Sequence, residues 1–351
     1  LAWQGKGKRK DESLLVGTEI INKDGELMKS EGDLNSLNWP ENAIVFRSSS
    51  PGADQIVDAF HRAGSLGDWI NAVQIVSKFP RVMIALYASF AAPLLAIFDC
   101  PNFILDLCSR TSQGKTTTQR LAGSVWGQPD ERKTASVVQT WDQTKVSVER
   151  RLAILANLPL ILDDTKRIKD VRQIAEILYT VASGQGRGRG SIQGIQTVLS
   201  WSTLLISSGE QRLTSFSNDG GVKMRVLEIE GAPFGSQNTE TGKIVEALNF
   251  AVCQNYGHAG IAFMQWVIQN RSRWPEWKAA FKAKAEGYIK QATNEKASRL
   301  ALYAAVIAQA AEMAHEGLSL PWKYSDTLET LWAEISGDAH DPSGCKKALR
   351  Y

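Results

Sequence analysis

The chain has 351 residues, 43% hydrophobic and 22% charged, which suffices to bury the core of one large domain with an appendage or of two ordinary domains. Its formal net charge of +3 is too small to argue nucleic-acid binding from bulk charge, so electrostatic arguments rest on local clusters. The four cysteines (Cys100, Cys108, Cys253, Cys345) form no C-x-x-C pair and the histidines share no ligand spacing, which argues against a zinc knuckle or a disulfide framework and reads as reduced thiols in a cytoplasmic protein.

The start at Leu1, with no signal-peptide layout, reads as a piece of a longer or processed protein. Residues 1–53 are rich in Gly, Lys, Asp, Ser and Asn, with short apolar pieces such as LLVGTEII and AIVF, and are expected to be a leader or the remnant of an N-terminal domain. The basic residues Lys6, Lys8, Arg9 and Lys10 lie in this leader. Helical spacing of Ile56, Val57 and Phe60, then of Trp69, Ile70, Val73 and Val76, predicts two or three helices before residue 98. The uncharged run at 82–98 sits at the lower edge of a membrane span, but Pro93 and the strand-like FILDL after it favour a buried helix of a globular domain, so no membrane partner is expected.

A short apolar strand at 103–108 leads into SRTSQGKT at 109–116 and then into a helical pattern that stops at Gly127-Gln128-Pro129. Strand, glycine-bearing loop and helix, in that order, are the context required by the phosphate-loop pattern G-x-x-x-x-G-K-[ST]. Gly114, Lys115 and Thr116 satisfy it, whereas Ser109 stands where the first glycine belongs and narrows the backbone choices there. Amides of such a loop and the N-terminus of its helix stabilise phosphate oxygens. Ser112, Gln113, Gly114, Lys115, Thr116 and Thr117 are therefore the candidate nucleotide-binding residues. Lys115 would reach the β- and γ-phosphates, and the Thr116 hydroxyl would ligate Mg²⁺.

The strand-like LPLILDD ends in Asp163 and Asp164, about fifty residues after the loop. In the nucleotide reading Asp163 holds the magnesium ion and Asp164 orients or activates the attacking water; alternatively the pair caps the next helix. Helical VRQIAEILYTVAS at 171–183 follows, then a buried strand at 203–210 whose polar end, Ser207 or Ser208, could sense the γ-phosphate, then a strand at 226–229. Strands alternating with helices predict an α/β fold with a parallel sheet flanked by helices, over a core at 54–241; residues 242–351 read as a helical C-terminal region.

Three further features carry charge. Glu149 in WDQTKVSVERR reads equally as a buried acid or as part of a solvated helix face. Arg225, just before a strand, is the first candidate for an arginine finger and Arg212 the second. Gly184-Gln185-Gly186-Arg187-Gly188-Arg189-Gly190 puts Arg187 and Arg189 on a flexible backbone that could follow a phosphate chain without demanding a base sequence; alternatively it is a surface loop with no partner.

The ordered segments FILDLCSRTSQGKTTTQRLAGSVWG, WDQT…VERR, LPLILDDTK, ASGQGRGRG and WSTLLISSGE resemble a family of helicase-like ATPases of phages, plasmids and self-loading replicative helicases of mobile elements, formerly a domain of unknown function. The resemblance implies a ring-forming AAA+ ATPase related to superfamily III, a hexamer with ATP and Mg²⁺ between subunits. It assigns Gly114, Lys115 and Thr116 to nucleotide, Asp163 and Asp164 to Mg²⁺ and hydrolysis, Ser208 to the sensor, and Arg187 and Arg189 to a DNA-facing channel. Ser109 in place of glycine, and Asp164 where many relatives of the wider class carry glutamate, are its two departures. The expectation is an ATP-driven DNA helicase or translocase; an ATP-binding adaptor or loader without unwinding activity is the alternative.

Overall fold

A computed structural model of the chain describes residues 3–4, 13–16, 19–22, 24–29, 50–168, 170–191, 194–217, 219–324 and 327–337. The leader's basic cluster at 6–10 and the AIVF piece at 43–46 lie outside the described residues. So do Cys345 and His340.

The leader's described part is an antiparallel sheet of four short strands in sequence order, β1 (Trp3–Gln4), β2 (Ser13–Val16), β3 (Glu19–Ile21) and β4 (Leu27–Lys29). Val16 and Ile21 are fully buried within the common core, and the Gly25 carbonyl accepts from Gln265 Nε2 at 3.2 Å.

Helices α1 (Pro51–Asp58), α2 (Leu66–Val76), α3 (Pro80–Ala91) and the single turn α4 (Leu95–Phe98) come next. Local chemistry sets their starts. Ser50 and Ser65 cap α1 and α2 through their hydroxyls, and Pro51 and Pro80 occupy first-turn positions where a missing N–H costs nothing. The apolar stretch 82–98 is the buried α3–α4 unit, so burial against protein accounts for its composition.

The central sheet is parallel throughout, in the order β11-β5-β10-β7-β6, with β5 at Phe103–Cys108, β6 at Val138–Thr140, β7 at Leu160–Asp163, β10 at Leu204–Gly209 and β11 at Val226–Glu230. Every residue of β5, β7 and β10 is buried, as expected of parallel strands covered on both faces. α3 and α5 (Lys115–Ser124) pack on one face; α7 (Val171–Ser183), with α6 (Lys145–Leu155) beside it, covers the other. β8 (Gly190–Ser191) and β9 (Gly194–Ile195) form a small antiparallel hairpin between α7 and β10, and α8 is a single turn at Gly220–Lys223.

After β11 the chain is helical: α9 (Thr239–Gln254), α10 (His258–Gln269), α11 (Trp274–Gln291), α12 (Glu295–Leu318) and α13 (Thr327–Gly337). This region is not separate from what precedes it. α12 lies along α3, the ring of Tyr303 stacks on Phe103 of β5, and one continuous apolar core joins both. The sheet strands expected from the sequence are present; β6, three residues long, was not among them.

Candidate nucleotide site

Parallel register aligns the carboxyl ends of the central strands. Gly209 of β10 and Glu230 of β11 both pair with Cys108 of β5, and Asp163 of β7 pairs with Thr140 of β6. Whatever follows these strands therefore collects along one edge. Ser112, Gln113, Gly114, Lys115, Thr116, Thr117, Asp163, Asp164 and Ser208 line one pocket of about 420 Å³ there.

The loop conformation explains which residues it needs. Gly114 has φ 89°, and a Cβ on it would lie 2.5 Å from the Phe234 ring, so both backbone and space demand glycine. Ser112 carries the loop's other left-handed backbone, φ 61°. Ser109 is not among the positive-φ residues, so the position that departs from the glycine pattern imposes no left-handed strain; it is buried, and its hydroxyl has no hydrogen-bond partner. Gly114 is also the N-cap of α5 and brings no side chain to the first turn, which leaves the amides there open to an anion. Lys115 Nζ donates to the carbonyls of Ser109 (2.6 Å) and Arg110 (2.8 Å), and partial burial lowers its pKa, against the pull of nearby Glu210 and other anionic groups.

Asp163 is the centre of the acidic side. Its Oδ2 accepts from Thr116 Oγ1 at 3.0 Å and its Oδ1 from Ser208 Oγ at 2.6 Å. Ser208 Oγ in turn accepts from the Asp164 backbone N–H at 3.1 Å, so one hydroxyl spans both aspartates. Burial pushes the Asp163 carboxyl up from its ordinary value, with the charges of Glu131 and Asp164 adding to the shift; a cation beside it would favour the ionised form and offset that penalty. The donor set fits magnesium, which keeps most of its waters and takes one or two hard protein oxygens plus phosphates. No group of three or more His, Cys, Asp or Glu suited to a metal occurs among the described residues, so a closed, all-protein metal cage is not on offer.

The alternation along β10 separates the two serines. Ser207 receives a hydrogen bond from Trp141 Nε1 at 3.1 Å and lies beside the buried Asp106, whose carboxyl is pushed well up by burial and by Glu228. Ser208 faces the pocket. Asp164 also performs the capping role read as its alternative: it sits at φ 62°, and its Oδ1 accepts from Lys166 N at 3.1 Å.

Sequence reasoning missed several pocket residues. Glu131 lines the pocket and is clamped by Arg120 through Nε to Oε2 (2.7 Å) and Nη2 to Oε1 (2.6 Å). Arg120 Nη1 also donates to Asn249 Oδ1 at 3.1 Å, while Asn249 Nδ2 donates to Thr117 Oγ1 at 2.9 Å, so α9 holds the loop helix at two points. Glu210 follows β10 and binds Thr111 Oγ1 and, at 2.5 Å, Lys166. Its place directly after a buried strand was a usable signal; Glu131, in the polar run DERK, offered none.

The arginines lie elsewhere. Arg225 precedes β11, at the amino edge, where its carbonyl accepts from Ile104 N at 2.8 Å and its Nη1 donates to Gly221 O at 2.9 Å. The fold of its own chain does not bring it to the pocket. Arg212 pairs with Glu230 near the carboxyl edge. Arg187 and Arg189 lead into the β8–β9 hairpin, also at the amino edge, since Trp201 N bonds Gly184 O and Asn102, just ahead of β5, bonds the Val181 carbonyl. Arg187 is exposed, whereas Arg189 pairs with Glu149 at 3.1 Å. Glu149 is 3% exposed, so of its two readings the buried one holds and the solvated one does not. A Cβ on Gly186 would lie 2.5 Å from Glu149 Oε1; the loop glycine lets the backbone close over that carboxylate.

Residues 39–198 match the family described as Domain of unknown function (DUF927). The fold is similar to a solved structure described as "SCCmec type IV Cch - active helicase", with a TM-score of 0.69 and 20% sequence identity. That match covers 93% of the chain and 59% of the other, so the chain spans less than two thirds of that protein's length. No curated protein matches the chain. The family match and the shared fold agree with the resemblance to helicase-like proteins of mobile elements carried by the motif order.

Proposed function

We propose that the chain is the ATP-hydrolysing motor of a DNA helicase or translocase from a mobile-element or phage replication protein, working in the cytoplasm as a homo-oligomeric ring, a hexamer, on single-stranded DNA. The observation that carries this reading is the convergence of Lys115, Thr116, Asp163 and Ser208 on one pocket at the N-terminus of α5. Lys115 and the first-turn amides bind the β- and γ-phosphates of ATP. Thr116 and Asp163 hold the magnesium ion, which when bound would neutralise phosphate charge.

Asp164 accepts a proton from the attacking water as the water oxygen bonds to the γ-phosphorus and the bond to the β–γ bridging oxygen breaks, leaving ADP and phosphate. Ser208, bonded to Asp163 and to the Asp164 amide, keeps the two acids in register and acts as the sensor. Arg225 serves the pocket of the adjacent subunit, because an arginine at the amino edge can neutralise transferring phosphate only across a head-to-tail contact, the kind that closes a ring. Arg187 and Arg189 bind the DNA backbone.

The test is phosphate release from ATP with and without single-stranded DNA. Wild-type protein hydrolyses ATP faster with DNA, and Lys115→Ala abolishes both rates. An unchanged rate in Lys115→Ala would sink the site assignment.

A further inference from the structure

The end of β10 runs on beside the phosphate loop. Gly209 pairs with Cys108 and its carbonyl accepts from Ser109 N at 3.2 Å, which brings Glu210 alongside Ser109 and Arg110, the two residues whose carbonyls hold the Lys115 ammonium. A Cβ on Gly209 would lie 2.4 Å from Thr165 Oγ1, so the glycine lets this strand end press against the turn after β7. The Glu210 carboxylate is thereby gripped from both sides: Thr111 of the loop donates to Oε1, and Lys166 of that turn pairs with Oε2. These bonds hold its carboxyl below the ordinary glutamate value, and its charge acts on Lys115 more strongly than those of Asp163 and Asp164.

Hydrolysis asks more of the pocket than one proton acceptor. An attacking water has to aim a lone pair at the γ-phosphorus, so both of its hydrogens need acceptors on the far side. Four carboxylates line the pocket, Glu131, Asp163, Asp164 and Glu210. Asp163 is committed to Thr116 and to the hydroxyl hydrogen of Ser208. Glu131 is clamped at both oxygens by Arg120, and its charge acts on Asp163, the magnesium side. Asp164 has one oxygen engaged by Lys166 N and so supplies a single acceptor. Glu210 is the carboxylate left on the Lys115 side, with a further lone pair on each oxygen.

We infer that Glu210 is a third acid of the hydrolytic site, accepting the second hydrogen of the attacking water while Asp164 takes the proton. The inference rests on the triphosphate reading above. The water oxygen bonds to the γ-phosphorus and the bond to the β–γ bridging oxygen breaks. One water proton passes to Asp164; the other stays on the new phosphate and donates to Glu210. A carboxylate facing the γ-phosphate also repels it, whereas ADP has no group there to repel. Glu210 therefore weakens the binding of a triphosphate and spares ADP, an asymmetry that vanishes with its charge. A side chain that only locked the loop through Thr111 would act on both nucleotides alike.

The test is calorimetric titration of the full chain with Mg²⁺ and either ADP or the non-hydrolysable ATP analogue AMP-PNP, beside a phosphate-release assay with ATP. Glu210→Gln and Glu210→Ala both remove the charge, and thermal melting verifies that each folds. We expect both variants to raise the ratio of AMP-PNP affinity to ADP affinity at least about tenfold over wild type, as expected when one like charge is removed from a partly desolvated site. The hydrolysis rate falls about 100-fold, the lower end for a positioned acid–base group.

Folded variants whose affinity ratio stays at the wild-type value, including any that weaken both nucleotides equally, overturn the inference while the triphosphate reading stands. A wild-type hydrolysis rate in those variants does the same. If wild-type protein binds neither nucleotide, or Lys115→Ala binds both normally, the triphosphate reading falls and this one with it.

Discussion

At the carboxyl edge of the sheet Asp163 is buried and Glu131 half-buried, and both are cross-linked, Asp163 to Thr116 and Ser208, Glu131 to Arg120; at the amino edge Arg187 is exposed in a loop with a glycine at every second position. Both edges are made by the same strands. The carboxyl edge receives the helix N-terminus and so concentrates positive partial charge in a fixed geometry, which suits chemistry that depends on placement. The amino edge offers full charges on a compliant backbone, which suits a repeating polyanion whose sequence is not read. Glu149 marks the boundary between the two regimes, because it anchors Arg189 to α6 and leaves Arg187 unanchored by it.

The comparison breaks first at Arg225. If this arginine acts across a subunit boundary, Arg225→Ala lowers the ATPase rate of the assembled protein about 1,000-fold, within the range for arginine fingers, without changing ATP affinity. Mixing Arg225→Ala with Lys115→Ala subunits restores part of the activity, since some interfaces then carry both groups; a mixture as inactive as its parts would place Arg225 outside the chemistry.

Asp163→Asn tests the carboxyl edge itself. It is expected to reduce the Mg²⁺-dependent rate by about 100-fold, comparable to removing one preorganised polar group from an active site, in a steady-state phosphate-release assay.

The amino edge is sharpened by Arg187→Ala combined with Arg189→Ala. Fluorescence anisotropy on single-stranded DNA across a salt series would show the slope of log K against log[salt] reduced by about 1.4, two phosphate contacts at about 0.7 each. Glu149→Gln removes the charge from a carboxylate that is 96% buried at the side chain while its arginine stays partly solvated, and should cost about 2 kcal/mol in denaturant unfolding. Unchanged stability would show that Arg189 needs no anchor.

An effect confined to acid pH lies far from both edges. His315, bonded to the Tyr87 hydroxyl at 2.9 Å and packed by Trp322 and Tyr324, is lowered by burial from 6.5 to about 4. The unfolded chain then binds more protons between those values, so stability that is full above pH 6.5 declines as the pH falls toward 4. His315→Gln should flatten this part of the melting-temperature profile.

Much of this architecture was legible in the sequence because parallel strands buried on both faces are written as apolar runs, and FILDLC, LILD and LLISSG each end where a polar residue reaches the edge. The site followed from those endings. What sequence could not supply was pairing across long separations. Asn249 meets Thr117 132 residues away, and α12 lies along α3, a pairing with no trace in helical periodicity. Ser109 misled in the opposite direction: the glycine pattern made it a defect, yet the left-handed backbone falls at Ser112 and Gly114. β6 was missed because three residues, VQT, are too few to show a period.

The grip of α9 on the phosphate loop has a mechanical consequence. Gln237, just before α9, holds the loop at Ser112, and Asn249, well along it, holds α5 at Thr117 and Arg120. A helix of sixteen residues is a rod about 24 Å long. Fastened near its start and again past its middle, it cannot stay still when the distance between those anchors changes, and its far end sweeps a longer arc than the loop does. A change in the spacing of Ser112 and Thr117 around a ligand would thus be passed to both anchored points of one helix.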